Sequence, residues 1–90
     1  MIASFRSKAL KAFWTKGDAS KIRADLVPRV RRRLDALNAA AKPEDMDVPG
    51  FDFHKLHSED RYTVHVNGPW CITFGWSGQD AVAVDLENYH

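Results

Sequence analysis

Tyr62-Thr63-Val64-His65-Val66-Asn67-Gly68-Pro69-Trp70-Cys71-Ile72-Thr73-Phe74-Gly75-Trp76 is the stretch on which the fold of this chain turns. Tyr62, Val64 and Val66 alternate with Thr63, His65 and Asn67, and Trp70, Ile72, Phe74 and Trp76 alternate with Cys71, Thr73 and Gly75. A period of two belongs to strands with one face in a core and one face open. Asn67-Gly68-Pro69 supplies turn chemistry between the runs, so the pair reads as an antiparallel hairpin. A third run follows Ser77-Gly78-Gln79-Asp80-Ala81, with Val82, Val84 and Leu86 alternating with Ala83, Asp85 and Glu87.

Register follows from parity, because cross-strand neighbours point to the same side of a sheet. A three-residue turn over Asn67-Gly68-Pro69 sets Val66 against Trp70, Val64 against Ile72 and His65 against Cys71. In the second hairpin Trp76 meets Val82 and Ile72 meets Leu86, which brings Glu87 beside Cys71. The expectation is an open-face row of His65, Cys71 and Glu87, with Asn88-Tyr89-His90 emerging at its edge. Trp70, Phe74 and Trp76 belong to the core by the same alternation.

Upstream the period changes to that of helices. Ile2 to Phe5 is short enough for a strand, and Ser4 or Ser7 can cap a first helix whose apolar stripe is Ala9, Leu10, Phe13 and Trp14, ended by Gly17-Asp18. Ile22, Leu26, Val30, Leu34 and Leu37 mark a second helix, with Arg29, Arg32 and Arg33 flanking the stripe. Pro28 has no N–H to give to a helix interior, so the helix is expected to start near Asp25 as cap, with Pro28 in the first turn. Pro43, Pro49 and Gly50 bracket a polar loop, Glu44-Asp45-Met46-Asp47, through which no helix continues. The whole is an α+β chain, with two N-terminal helices packed on a mostly antiparallel sheet of four to five strands.

Ninety residues suffice for one modest core and leave no room for a second domain. No run of about 18 apolar residues is present, and the N-terminus lacks the apolar segment of a signal peptide, which predicts a protein that contacts no membrane and stays in the cytoplasm. The single cysteine, Cys71, forms no internal disulfide. The net charge of +1 conceals a division: eleven basic and five acidic residues in 1–45 make that half +6 and leave the remainder −5. A basic helical half joined to an acidic sheet half suits a polyanion, an acidic partner protein, or both.

His54, His57, His65 and His90 all lie in the second half. Imidazole takes and gives protons near neutrality. Cleavage of RNA by its own 2′-hydroxyl asks for that chemistry: a base for the hydroxyl proton, an acid for the leaving 5′-oxygen, and donors or cations around the phosphate. Surface histidines are also common, and composition alone assigns them nothing. His54-x-x-His57 has a ligand-like spacing but no second cysteine to complete a zinc pattern, so no metal and no cofactor is expected. A Cys71 nucleophile with His65 as base lacks an orienting group and an oxyanion hole. Tyr89 either stacks on a base or anchors the tail. Arg31-Arg32-Arg33 cannot all point inward, and its solvent-facing members would contact phosphates in a positional, not base-reading, way.

From Met1-Ile2-Ala3-Ser4-Phe5 through Arg33-Leu34-Asp35-Ala36-Leu37-Asn38-Ala39-Ala40, Pro43-Glu44-Asp45-Met46, Pro49-Gly50, Phe53-His54-Lys55-Leu56 and Val64-His65-Val66-Asn67-Gly68-Pro69-Trp70 to Glu87-Asn88-Tyr89-His90, the chain resembles the HigB branch of the RelE/ParE toxin superfamily. The resemblance implies a single toxin domain over 1–90 that cuts messenger RNA in the ribosomal A site. It further implies neutralisation by a cognate HigA-like helix-turn-helix antitoxin, through which alone operator DNA is bound. Carried over position by position, His54, Tyr89 and His90 match the family's catalytic residues, and Asn88 stands where an aspartate is usual. His57 stands where lysine is common, and Ser58-Glu59-Asp60-Arg61 is a shortened loop without the usual glycines.

Arg29, Arg32, Arg33, Arg61 and Lys55 are the expected contacts to RNA or the ribosome. Cys71 departs from it, since Asn-Gly-x-Trp is typically followed by arginine. Arg61 or a helix arginine would then have to supply the missing cation. Two other readings remain open: a non-cleaving relative that serves as an antitoxin-binding co-repressor, and a ParE-like gyrase inhibitor, which the terminal Tyr89-His90 disfavours.

Overall fold

The computed structural model describes residues 1–57 and 59–89. Two helices, α1 (Lys8–Lys16) and α2 (Val27–Ala39), precede four strands, β1 (His54–Leu56), β2 (Arg61–Asn67), β3 (Trp70–Ser77) and β4 (Asp80–Asn88). The strands form one antiparallel meander in the order β1-β2-β3-β4. Both helices pack on the same core, which is the expected α+β arrangement.

The local chemistry explains the helix ends. Ser7 Oγ accepts the Leu10 N–H at 3.2 Å, which makes Ser7 the cap of α1, and Gly17 closes it in the left-handed conformation at φ 71°. The second helix starts later than the sequence predicts. Asp25 turns its carboxylate back onto the Arg23 guanidinium at 2.9 and 3.1 Å, Leu26 enters the core, and Leu26 rather than Asp25 holds the cap position with no side-chain cap bond. Pro28 then lies in the first turn, where its missing N–H leaves nothing unpaired. After α2 the polar loop contains one 3₁₀ turn, Pro43–Met46, which seats Met46 in the core.

Leu10 and Phe13 of α1, Leu26, Val30, Leu34 and Leu37 along α2, and Val64, Val66, Ile72, Phe74, Ala81 and Val84 of the sheet make the central cluster. Each fully buried leucine or phenylalanine contributes about 1.5–3 kcal/mol relative to exposure, and this apolar layer is what fixes the helices to one side of the sheet. Phe74 is buried, whereas Trp70 and Trp76 are only half-buried and close the rim of the core.

Two bulges set the register. His65 pairs with Cys71 and Val64 with Ile72, as parity requires, but Asn67 rather than Val66 pairs with Trp70, because Val66 is bulged into the core above a two-residue Gly68-Pro69 connection. In the second hairpin Cys71 meets Glu87 and Ile72 meets Leu86, yet nearer the turn Gly75 meets Val82 and Trp76 meets Ala81. Ala83 and Val84 both stand opposite Phe74, with Ala83 at φ 50°. That extra residue inverts the alternation: Ala81 and Val84 face the core, and Val82 moves to the open face over Gly75.

The free edge of β4 is covered by the N-terminal segment. Ile2 and Phe5 form isolated parallel bridges to Ala81 and Val84 rather than a strand of their own. Hydrogen bonds from Ala3 N–H to the Ala81 carbonyl (2.8 Å), Arg6 N–H to the Val84 carbonyl (2.8 Å) and Ala81 N–H to the Met1 carbonyl (2.9 Å) complete the edge. Among the described residues no helix is long and apolar enough to cross a membrane.

Candidate active site on the open face of the sheet

The sheet face away from the helices gathers polar groups in rows. The first row is His65, Cys71 and Glu87; the second is His54, Thr63, Thr73 and Asp85; Arg61 begins the third, opposite Leu56. Beyond β4, Tyr89 continues on the side of Glu87, and its N–H donates to the Pro69 carbonyl at 2.7 Å, tying the chain end to the β2–β3 turn. Tyr89 is 41% exposed.

His54 is exposed on the edge strand, and its Nδ1 lies 3.0 Å from the Asp52 carbonyl oxygen. A carbonyl only accepts, so Nδ1 carries a proton there, and in the neutral imidazole Nε2 presents its lone pair outward. Asp52 holds a left-handed conformation at φ 49°, which turns the chain into β1. His65, by contrast, spends its Nε2–H on the Gly68 carbonyl at 2.9 Å and braces the hairpin turn.

Cys71 is half-buried at the centre of the first row. Burial pushes its thiol above the ordinary range; the Thr63 hydroxyl beside it works the other way, and the carboxylates of Asp52 and Glu87 add smaller upward contributions. The group is therefore a neutral thiol at neutral pH, flanked by negative charge. Tyr89 is likewise pushed above the usual phenol range, first by burial and then by the Glu87 carboxylate.

The arginines divide by burial. Arg29 and Arg32 are exposed along α2, as expected of phosphate contacts. Arg33 is 5% exposed: its Nε donates to the His65 carbonyl at 2.9 Å, and its guanidinium lies 4.5 Å from the centre of the Phe51 ring. Burial, together with the neighbouring Arg32 and Arg29 charges, lowers its pKa. Arg61 is 7% exposed and donates from Nη2 to Thr73 Oγ1 (3.0 Å) and to the Ala83 carbonyl (2.8 Å). Neither Arg33 nor Arg61 stands where a solvent-borne phosphate would meet it, because the polar atoms that each must satisfy lie inside the protein.

The remaining expected residues are spread. Lys55 pairs with Tyr62 and so lies on the face opposite His54, 5.8 Å over the Tyr62 ring and 3.6 Å from Asp60. His57 is exposed in the turn after β1, and Asn88, opposite Trp70, alternates to the side away from Glu87 and Tyr89. His90 lies outside the described residues, as does Ser58 of the shortened loop. Thr63, Thr73, Asp85 and Asp52 are groups of this region to which the sequence assigns no role. The two threonines share the parity of Cys71 and His65, a signal that was present in the alternation itself.

Comparison with known proteins places the chain in a family. The family of RelE-like toxins described as HigB of type II toxin–antitoxin systems matches residues 3–90. The chain is also 33% identical over 92 residues, covering all of both proteins, to a protein from Proteus vulgaris named Endoribonuclease HigB.

Proposed function

This chain belongs to the HigB-like family of RelE-type toxins of type II toxin–antitoxin systems, and from that membership we propose that it is an endoribonuclease that cuts messenger RNA in the A site of the 30S subunit by acid–base chemistry on its own side chains. The observation that carries the reading is the open face itself: an imidazole on β1 with its Nδ1 proton engaged by the Asp52 carbonyl, and a phenol at the end of β4 on the same side of the sheet. His54 Nε2 is the base that takes the 2′-hydroxyl proton, while Tyr89 and His90 are the groups that meet the phosphate and the leaving 5′-oxygen. The solvent-facing Arg29 and Arg32 on the basic helical half are the groups for ribosomal phosphates. A cognate HigA-like antitoxin with a helix-turn-helix module is the partner that restrains the toxin and brings the pair to operator DNA.

The neutral Cys71 between two carboxylates favours a second reading, a weakened or non-cleaving relative that acts through its antitoxin. Purified protein added to programmed ribosomes separates the two. Under the first, message ends map to the A-site codon only when ribosomes are present. His54→Ala and deletion of Tyr89-His90 then each lower the cleavage rate by about 10²–10⁴-fold with an unchanged circular dichroism spectrum. Absence of cleavage by the unmodified protein, with antitoxin binding intact, selects the second.

A further inference from the structure

We propose that Glu87 is a positioning residue for the Tyr89 hydroxyl, and that it is held in place by a buried chain running from Arg61 through Thr73. The inference rests on the reading of Tyr89 as a group that meets the RNA, and it deepens that reading by naming what sets the phenol.

The chain starts with a buried cation. Arg61 lies beside Gly75, where an added Cβ would stand 3.9 Å from Arg61 Nη1, in ordinary contact, and 3.3 Å from Val82 Cγ2, so it is the Val82 side chain that the glycine accommodates. Among the described residues no carboxylate pairs with Arg61 directly; Nη2 meets only the Thr73 hydroxyl and the Ala83 carbonyl, and Nε has no partner. Burying an unpaired cation is costly, and the compensation here is indirect.

Thr73 transmits it. The residue is fully buried, and its oxygen accepts from Arg61, so its one proton is directed to Glu87 Oε2, with which it makes a short hydrogen bond. A positive charge at one end and a carboxylate at the other polarise both bonds of the chain. This fixes the carboxylate on the open face. The Tyr89 oxygen lies 3.4 Å from the same Oε2, long for a hydroxyl bond, and the bond from Tyr89 N–H to Pro69 anchors the residue from behind. Glu87 thereby accepts a long hydrogen bond from the phenol O–H, which stays on Tyr89, and turns the oxygen lone pairs outward. Burial above all, then the carboxylates of Glu87 on β4 and Glu59 in the β1–β2 loop, keep the phenol neutral; Cys71 on β3, the remaining titratable group around Tyr89, adds to this only once its raised thiol ionises.

The test reads Tyr89 directly. The chain has two tyrosines, so tyrosine labelled with ¹³C at Cζ gives two signals, and Tyr62→Phe identifies the one from Tyr89. In the full-length protein Tyr89 is expected to titrate above free tyrosine, and Glu87→Gln to lower that value by roughly half a pH unit or more. Thr73→Val should reduce cleavage through kcat with KM unchanged, and Thr73→Ser should restore it. A Tyr89 titration identical in Glu87→Gln and the unmodified protein overturns the proposal. If instead the titration moves while Tyr89→Phe cleaves at the full rate, the coupling of Glu87 to Tyr89 stands and the reading of Tyr89 as a reacting group fails.

Discussion

At residue scale the decisive position is Cys71. Its side chain sits in the centre of the open-face row, with His65 on one side and Glu87 on the other. A neutral thiol offers little to a phosphate whose charge grows in the transition state, whereas a guanidinium brings several donors and a fixed charge. Asp52 and Glu87, the carboxylates that push the thiol pKa up, would stabilise an arginine in the same place, so Cys71→Arg should fold as well as the unmodified protein. Loss of one oxyanion-stabilising donor costs about 10²–10³ in kcat elsewhere, so the substitution is expected to raise single-turnover cleavage by up to about a hundredfold, less what Glu87 absorbs. The measurement is cleavage of A-site message at equal ribosome occupancy, with Cys71→Ser as control. Equal rates for Cys71→Arg and the unmodified protein would show that another group already supplies the charge. Loss of activity in the serine variant would return a direct role to the thiol.

Among the elements, α2 shows how one arginine run divides between fold and function. Arg31, Arg32 and Arg33 are consecutive, yet Arg31 pairs with Asp35 at 3.6 Å at the surface, Arg32 faces solvent and Arg33 is buried. The helix turns by about 100° per residue, so three neighbours in sequence necessarily point in different directions. Arg33 stitches α2 to the sheet through the His65 carbonyl and to the preceding loop through the face of Phe51. Its removal leaves a buried acceptor and a cavity; Arg33→Ala is therefore expected to destabilise the protein by about 2–4 kcal/mol, against less than about 0.5 kcal/mol for Arg29→Ala or Arg32→Ala. Urea denaturation checks the contrast. The converse should hold for ribosome association, which ought to weaken in Arg29→Ala and Arg32→Ala; equal stability losses at all three positions would remove the structural role assigned to Arg33.

For the whole molecule, the edge of the sheet is the vulnerable feature. Met1 to Arg6 carry little regular structure, but they satisfy the β4 backbone at Ala81 and Val84, and Ser4 Oγ accepts the Ala83 N–H at 2.8 Å. Ile2 and Phe5 also pack on the core cluster. Deleting residues 1–6 would uncover a strand edge and apolar surface together, so the expected outcome is loss of cooperative unfolding and concentration-dependent association by light scattering. A truncated protein that stays monomeric with an unchanged denaturation midpoint would show that the segment contributes nothing to the sheet.

The sequence by itself determined the two helices, the hairpins that join β2, β3 and β4, and their central register, because alternation and helical periodicity are properties of neighbours along the chain. His65 against Cys71 and Cys71 against Glu87 followed from parity alone, as did the emergence of Tyr89 at the edge of that row, whereas His54 joins the face only through the pairing of β1 with β2. Tertiary structure decided what parity cannot encode. An extra residue at Ala83 sends Val82 to the open face and brings Ala81 into the core while Val84 stays buried, Asp25 prefers Arg23 to the helix end, and the Ile2–Phe5 run becomes two bridges on a strand edge. Burial of Arg33 and Arg61 was likewise invisible in a list of charges, since whether an arginine meets water or a carbonyl depends on which distant backbone groups, at His65 and Ala83, are left to be satisfied. Those pairings span dozens of residues, and only the packed chain brings donor and acceptor together.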